Sequence, residues 1–354
     1  MVVAFRLDAS ATIGNGHVSR CRSLALGLLR SGQVGRVCFA CAAIPDSWRC
    51  RLEEDGIEVM SLTSQLSGSE PWSLADPAAD AAELRERLVS LGRVEWLVTD
   101  HYGIGAEWQR RLRGATRCIL AIDDLADRRH DCEILVDQNF DDRPLDRYLP
   151  LIPPLSRALV GPRFALLADD YARLRGAVLR TPDPVRRIAV LLGPADVFNV
   201  TGKALVAIGR SIPWPVEIDV VLGGDHPFAA AIAEQASRSA TIRLHRSVAG
   251  MASLFARADL AIGAAGAAAL ERACLRLPAL FTAIAGNQLP VARALAALAP
   301  ALWLGNAADV SEELIADRLR LVADGRHPDL SAACMPDVDG QGVDRIVSEM
   351  LTII

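Results

Sequence analysis

The sequence predicts an α/β protein made of two domains, each built around a buried parallel sheet. Its 354 residues exceed the roughly 250–300 residues that one hydrophobic core usually serves. Short apolar runs without polar alternation are separated by amphipathic stretches, a pattern typical of strands that are buried on both faces. The pattern restarts after residue 180, beyond the turn-forming segment Thr181-Pro182-Asp183-Pro184.

The first half of the chain begins with a strand and continues with alternating helices and strands. The apolar runs that predict strands are 2–7, 37–41, 96–99, 118–122 and 134–136. Residues 17–30 carry apolar side chains at helical spacing and end at Ser31-Gly32, so they predict a helix. Residues 81–91 predict another helix, and the stretch 61–80, rich in Ser, Pro and Asp, predicts a loop.

The second half repeats this organisation. Its predicted strands are 188–192, 218–222, 242–244, 260–262 and 279–281, and its predicted helices include 266–275 and 288–298. We therefore expect an N-terminal Rossmann-like domain at 1–165 and a C-terminal, nucleotide-binding one at 180–340, with the boundary within 155–185. A final helix within 341–354 is expected to pack back on the first domain.

Composition argues against several function classes. The formal net charge of −5 provides no basic surface for nucleic acid. The N-terminus has no signal-peptide pattern, and no run approaches the roughly 20 apolar residues of a membrane span, so we expect a cytoplasmic protein without stable membrane insertion. Cys38 and Cys41 form a C-x-x-C pair within a strand, and no second pair follows at zinc-ligand spacing. We expect buried structural thiols and no metal or cofactor.

The carboxyl ends of parallel strands are where open α/β sheets bind ligands. The first predicted strand is followed by Asp8 and a glycine loop, with Gly14 and Gly16 just before the helix that carries His17. A dinucleotide fingerprint would need a third glycine at Ser19 and an acid after the next strand, so NAD binding is disfavoured. A histidine at a helix start can remain neutral and act as a general base, although an isolated one is more often a cap or a packing residue.

Polar residues also follow the later strands of the first half. Asp100, His101 and Tyr102 end one predicted strand, and Asp123 and Asp124 end the next. We expect these groups to collect at one edge of the sheet. The two aspartates have an alternative interpretation as helix caps.

The second half has glycine turns after its strands. They are Gly193-Pro194-Ala195-Asp196, Gly223-Gly224-Asp225 and Gly263-Ala264-Ala265-Gly266. Gly266 precedes a predicted helix and is suited to a diphosphate, and Glu271 lies about one turn into that helix, where it could chelate a ribose or remain a solvated side chain. Asn287 and Gln288 begin another helix as caps or ligand contacts.

Taken together, these segments resemble one family, the UDP-2,4-diacetamido-2,4,6-trideoxy-β-L-altropyranose hydrolases of pseudaminic acid biosynthesis. The segments that carry the resemblance are Arg6-x-Asp8-x-Ser10, Ile13-Gly14-x-Gly16-His17-Val18-x-Arg20-Cys21, Asp100-His101-Tyr102, Ile122-Asp123-Asp124-Leu125-Ala126-Asp127-Arg128, Leu159-x-Gly161-Pro162-x-Phe164-Ala165-Leu166-Leu167, Glu271-Arg272-x-Cys274 and Asn287-Gln288. They lie between residue 2 and about residue 305.

The resemblance implies a glycosyltransferase-B fold, in which two Rossmann-like domains face an interdomain cleft. It implies metal-independent, inverting hydrolysis of a UDP-sugar, which releases UDP and a free sugar for a pathway that supplies flagellin glycosylation. The catalytic residues would be His17, Tyr102 and Asn287. Glu271 would bind the ribose, and the loop at Val248 would meet uracil through its backbone. The other expected substrate or nucleotide contacts are Asp8, Gly14, Gly16, Arg20, Gly193, Asp196, Asn199, Gly266 and Gln288.

The chain departs from the family pattern at several positions, some of them in the loops expected to hold the diphosphate. Pro194 and Ala195 replace Gly-Ser, Ala267 and Ala268 replace Ser-Thr, and Gly286 replaces a common Glu. Proline lacks a backbone donor, and alanine lacks a hydroxyl. Two alternatives to hydrolysis remain at this point. One is a glycosyltransferase that uses a UDP-sugar donor, and the other is a nucleotide-sugar-binding protein without catalysis.

Overall fold

The computed structural model describes residues 1–10, 13–64, 73–141, 144–178, 184–193, 196–223, 226–246, 248, 250–332 and 337–354. The chain divides into two compact units, one of Met1–Ala168 with Gln341–Ile354 and the other of Asp169–Gly340. They are called unit 1 and unit 2 below. The predicted linker residues Thr181, Pro182 and Asp183 lie outside the described residues.

Unit 1 contains a seven-stranded sheet in the order β3-β2-β1-β4-β5-β6-β7, in which every pairing is parallel. The strands are β1 Val2–Leu7, β2 Arg36–Cys41, β3 Glu58–Ser61, β4 Val94–Asp100, β5 Thr116–Ile122, β6 Ile134–Asp137 and β7 Arg157–Val160. The helices between them are α1 Gly16–Arg30, α2 Asp46–Glu54, α3 Pro77–Ser90, α4 Ala106–Leu112 and α5 Pro144–Tyr148. A short 3₁₀ turn, Pro162–Phe164, follows β7.

Unit 2 contains a six-stranded parallel sheet in the order β10-β9-β8-β11-β12-β13. Its strands are β8 Arg187–Leu191, β9 Glu217–Val221, β10 Ile242–His245, β11 Leu260–Ala264, β12 Ala279–Ala283 and β13 Trp303–Asn306. Its helices are α6 Asp169–Arg175, α7 Val200–Ser211, α8 Ala229–Ser237, α9 Met251–Arg257, α10 Ala268–Cys274, α11 Leu289–Leu298, α12 Glu312–Val322 and α13 Asp329–Ala332. Short 3₁₀ turns lie at Gly286–Gln288, Pro300–Leu302 and Ala307–Asp309.

Both faces of the unit 1 sheet are covered, as the apolar runs predict. Along β1, Val3 and Phe5 point into a core cluster that includes side chains of α1, while Ala4 points into a second cluster with α3 and α4. The final helix, α14 (Gly342–Ile353), belongs to the first of these clusters. An ideal Cβ at Gly27 would lie 2.3 Å from Val343 Cγ1, so the glycine lets α14 approach α1 closely.

One predicted boundary in unit 1 is wrong, and two edge strands are missed. The loop predicted for 61–80 ends earlier, because Pro77 begins α3 and the Asp76 carboxylate accepts hydrogen bonds from the backbone of Ala78 and Ala79. The sequence pattern also misses the four-residue strands β3 and β7 at the two edges of the sheet. Residues 65–72 of the predicted loop lie outside the described residues.

Within the described part of the chain, no helix has the length and apolar character needed to cross a membrane.

Candidate active site

The candidate site of unit 1 lies where strand order reverses. β1 pairs with β2 on one side and with β4 on the other, so the chain leaves the carboxyl end of β1 at a topological switch point, the usual ligand position of an open α/β sheet. α1 begins at Gly16, immediately after the glycine loop, and places His17 at this edge. Asp100 is the last residue of β4, so its side chain lies at the same edge as His17.

His17 and Asp100 form the central contact of the site. The Nδ1 atom of His17 lies 2.6 Å from Oδ1 of Asp100, and only 8% of the histidine surface is exposed. Burial alone would raise the pKa of Asp100, but the charges of Arg20 and His17 outweigh it and hold this pKa well below its usual range. An ionised carboxylate can only accept, so we assign the Nδ1 proton to His17. Nε2 is then the nitrogen with a free lone pair.

Arg20 fixes the Asp100 carboxylate from the next turn of α1. Its Nε donates to Oδ2 at 2.7 Å and its Nη2 donates to Oδ1 at 2.6 Å, which is the bidentate geometry that suits a guanidinium. Nη1 donates to Asp124 at 3.2 Å, and the thiol of Cys21 donates to Asp100 at 3.3 Å. Arg20, a predicted substrate contact, therefore pairs with two carboxylates of its own unit.

Tyr102 lies in the same cluster, as the sequence predicts. Its hydroxyl donates to Oδ2 of Asp124 at 3.2 Å, and its ring packs edge-on against the imidazole of His17 with 5.0 Å between centroids. The cluster thus joins residues from α1 and from the ends of β4 and β5. Sequence reasoning places Asp100 at a strand end without selecting it as a site residue, although it makes the central contact.

Asp8 accepts hydrogen bonds from the backbone of its own unit. Its Oδ1 accepts hydrogen bonds from the backbone nitrogens of Ala42 and Ala43 at 2.7 and 2.9 Å, and its Oδ2 accepts from Arg6 at 2.8 Å. Only 1% of the residue is exposed. Asp8 therefore ties the end of β1 to the end of β2, and the structure does not place it among groups that are open to a ligand.

The glycines between β1 and α1 have free space beside their backbone. Gly14 has a φ of +83°, in the left-handed region that favours glycine, and its nitrogen donates to the Ser10 carbonyl at 2.8 Å. An ideal Cβ at Gly14 or Gly16 would meet no atom within 4 Å, so both positions have free space beside the backbone. Residues 11 and 12 of this loop lie outside the described residues.

In unit 2, β8 and β11 are the neighbours at the switch point, and the predicted nucleotide residues follow them. Gly193 has a φ of +84° with open space beside it. The buried Asp196 caps α7 by accepting from Val200 and Thr201 at 2.8 Å each, and Asn199 accepts from Gly202 at 3.2 Å. Asp196 and Asn199 therefore organise the start of a helix.

The loops after β11 and β12 bring two predicted contacts together. An ideal Cβ at Gly266 would lie 3.1 Å from Nε2 of Gln288, whose Oε1 accepts from the Ile284 backbone at 3.1 Å. Asn287 beside it is exposed. Val248 is half-buried, and its neighbours Ser247 and Ala249 lie outside the described residues, as do Pro194, Ala195, Gly224 and Asp225.

Glu271 is half-buried near the carboxyl edge of the unit 2 sheet. Burial raises the pKa of its carboxyl group, against the opposing effects of Tyr171 and Arg272. Arg272 beside it is buried as well, and its Nη2 donates to the Ala264 carbonyl at 2.8 Å. Among the described residues, no three His, Cys, Asp or Glu side chains are arranged to hold a metal ion.

No family model matches the chain. A curated relative, the UDP-2,4-diacetamido-2,4,6-trideoxy-beta-L-altropyranose hydrolase of Campylobacter jejuni, is 24% identical over 285 residues, which cover 80% of this chain and 91% of that protein. Acinetobacter baumannii MurG has a similar structure, with a TM-score of 0.64, 14% identity and 99% coverage of each chain.

Two plant proteins are also similar in structure. A UDP-glucosyltransferase from Polygonum tinctorium gives a TM-score of 0.68 at 13% identity, over 99% of this chain and 98% of that one. Arabidopsis thaliana UGT89C1, complexed with UDP-L-rhamnose, gives 0.65 at 12% identity, over 99% and 98%. These likenesses confirm the predicted fold class, two Rossmann-like α/β units of the glycosyltransferase-B type.

Proposed function

We propose that this chain is a UDP-sugar hydrolase in which His17 is the general base. The observation that carries the proposal is the 2.6 Å contact between His17 and Asp100 at the switch point of unit 1. A carboxylate that accepts the Nδ1 proton fixes the ring and leaves Nε2 basic, which is the arrangement that hydrolytic His–Asp pairs use. The similarity to the Campylobacter jejuni hydrolase supports the choice of substrate class.

In the proposed reaction, Nε2 of His17 takes a proton from water as the water oxygen attacks the anomeric carbon. The bond between that carbon and the diphosphate oxygen breaks, and UDP leaves with the bonding electrons. Attack on the face opposite the leaving group inverts the anomeric centre. His17 then returns the proton to solvent. Because UDP is a good leaving group, the protein needs a positioned base and stabilisation of the departing charge.

We assign the nucleotide to unit 2 and the proton transfer to unit 1. The backbone around Gly193 and Gly266 would hold the diphosphate, Glu271 the ribose, and the loop at Val248 the uracil. Tyr102, whose ring contacts His17, and the exposed Asn287 are proposed to contact the sugar. We propose UDP-2,4-diacetamido-2,4,6-trideoxy-β-L-altrose or a close analogue as the substrate, for a pathway of pseudaminic acid type.

The test is to incubate the protein with a panel of UDP-sugars and to quantify UDP and free sugar. His17→Asn should lower turnover by roughly 10²–10⁴-fold, the usual contribution of a positioned base. UDP affinity should not change, because the proposed nucleotide contacts lie in unit 2. His327→Asn is the matched control: the Nδ1 of His327 accepts from the Asp329 backbone at 3.2 Å, a bond that asparagine can keep.

The same experiment separates hydrolysis from its alternatives. A base that activates water can also activate an acceptor hydroxyl, so each incubation is repeated with sugar and lipid-linked acceptors. UDP release that requires an acceptor would identify a glycosyltransferase. UDP binding without turnover in any incubation would identify a nucleotide-sugar-binding protein. Near-normal turnover by folded His17→Asn would remove His17 from the mechanism.

A further inference from the structure

Arg272 of α10 is a buried cation whose hydrogen bonds are incomplete. Only 3% of its surface is exposed. Its Nη2 donates to the carbonyl of Ala264, but its Nη1 has no hydrogen-bond partner among the described residues. Buried guanidinium groups are normally paired with carboxylates or fully hydrogen-bonded, because an unsatisfied buried charge is costly.

The charge on Arg272 persists at neutral pH. Burial lowers the pKa of Arg272 to about 10, and the nearby Glu271 and Tyr171 act against this change. A guanidinium with that pKa remains protonated under physiological conditions. Unit 2 therefore keeps a positive charge in its interior that its described residues only partly satisfy.

The position of this charge is informative. An ideal Cβ at Gly263 would lie 2.8 Å from Nη1 of Arg272 and 2.8 Å from the Leu191 carbonyl. The guanidinium thus lies against β11 near its carboxyl end, beside the last residue of β8. These two strands flank the switch point of unit 2, and the loops that follow them carry Gly193 and Gly266. Glycine at 263 is what leaves room for the guanidinium.

We propose that Arg272 supplies the positive charge that retains the diphosphate of the nucleotide in unit 2. It would act electrostatically from beneath the loop that follows Ala264, and it would also stabilise the charge that develops on departing UDP. The inference rests on the proposed function for the identity of the ligand as a nucleoside diphosphate. A charge below the loop offsets the absence of hydroxyl donors at Ala267 and Ala268.

The test compares the binding of UDP, UMP, uridine and inorganic pyrophosphate by calorimetry. Arg272→Gln removes the charge and keeps a polar amide, and Arg272→Lys keeps the charge. We expect Arg272→Gln to weaken the binding of UDP and of pyrophosphate by about tenfold or more. A nearby charge in a partly buried site contributes to the binding free energy on this scale. Uridine binding should not change, and Arg272→Lys should retain most of the UDP affinity.

The matched control is Arg257→Gln, which removes an exposed arginine from α9, at the opposite end of β11. Thermal unfolding shows whether each variant folds, and Arg272→Met is the second neutral variant, because apolar replacements of buried ions are often tolerated. Equal losses for uridine and UDP, or equal UDP affinity in the Gln and Lys variants, would overturn the proposal. If pyrophosphate binds and needs Arg272 but UDP does not bind, the anion site stands and only the proposed function is refuted.

Discussion

Replacing Asp100 with asparagine tests whether the His17–Asp100 pair is the working part of the site. The exchange keeps the shape of the side chain and removes its charge. All the groups that contact the Asp100 carboxylate through hydrogen bonds are donors: Nδ1 of His17, Nε and Nη2 of Arg20, and the thiol of Cys21. An asparagine amide has one acceptor oxygen and one NH₂ group, so in either orientation its NH₂ must face a donor.

The two orientations of the new amide have different consequences. If the NH₂ group takes the place of Oδ1, it faces Nδ1 of His17 and Nη2 of Arg20, the ring proton moves to Nε2, and the base is blocked. If it takes the place of Oδ2, it faces Nε of Arg20 and the thiol of Cys21. In either orientation the buried guanidinium of Arg20 loses one of its two hydrogen bonds to this residue, and the negative charge beside His17 is gone. Breaking one side of a buried ion pair costs roughly 3–5 kcal/mol of stability. We therefore expect Asp100→Asn to lower turnover by about 10²–10⁴-fold and to lower the melting temperature.

The assay is steady-state UDP release at saturating UDP-sugar, with UDP affinity measured separately by calorimetry. UDP affinity should be unchanged, because the proposed nucleotide contacts lie in unit 2. Thr99→Ser, a mild change at the preceding buried position of β4, controls for effects on the strand. If Asp100→Asn is folded and turns over at a rate close to that of the wild type, the His–Asp pair is not the catalytic device.

Two further predictions concern groups whose pKa is raised by burial. Glu271→Gln should weaken UDP by about 10- to 100-fold if the carboxylate binds the ribose, as a lost hydrogen bond to a charged group costs roughly 1.5–3 kcal/mol. Because the pKa of Glu271 is raised, the UDP affinity of the wild type should begin to fall at a higher pH on acidification than it would with an ordinary glutamate. The Glu271→Gln variant should lack this pH dependence. If the UDP affinities of the two proteins change with pH in the same way, the assignment is wrong. Asp137, which accepts from Tyr148 at 3.0 Å, has its pKa raised from 3.8 to about 6 by burial. The folded state then binds more protons between these values, so its contribution to stability is present below pH 4 and is lost as pH rises through 6. Asp137→Asn should therefore have a larger free energy of unfolding than the wild type at pH 7.5, by up to about 3 kcal/mol, and the difference should vanish near pH 4. Guanidinium unfolding at the two pH values measures this. A difference that is the same at both pH values would contradict the prediction.

Sequence reasoning predicts much of the sheet architecture, because its central strands are continuous apolar runs. It fails at β3, β7 and β13, which are four residues long and lie at the sheet edges. Such a strand is defined by pairing with its neighbour rather than by its own hydrophobic pattern. The caps give a similar lesson: Asp76 and Pro77 are a recognisable helix start inside a segment whose composition is typical of a loop.

The candidate site shows the same limit at the level of side chains. The rule that ligands meet the carboxyl ends of strands leads to the segments of Asp100, Tyr102 and Asp124, which the structure brings together. The rule cannot separate these residues from Asp8 and Asp196, which also follow strands but bind backbone nitrogens of their own units. The decisive partner of Asp8 is Ala42, and the decisive partner of Arg20 is Asp100, 80 residues away. Only the strand order places these groups in contact.

The arrangement around Asp100 also bears on the proposed role of His17 as a base. Asp100 faces a permanent cation, Arg20, and a group that carries charge only after it has taken a proton, His17. Against the effect of burial, Arg20 and His17 together hold the pKa of Asp100 far below its usual range, so the carboxylate is ionised and accepts from Nδ1. Nη2 of Arg20 also lies 3.2 Å from Nδ1 of His17, so the ring has a cation as well as a carboxylate beside it. Asp100→Asn removes the carboxylate and leaves the cation, so the variant changes the charge beside the proposed base as well as its hydrogen-bond acceptor. Nη1 of Arg20 is held by Asp124 at 3.2 Å, so the position of this cation beside the ring depends on both carboxylates.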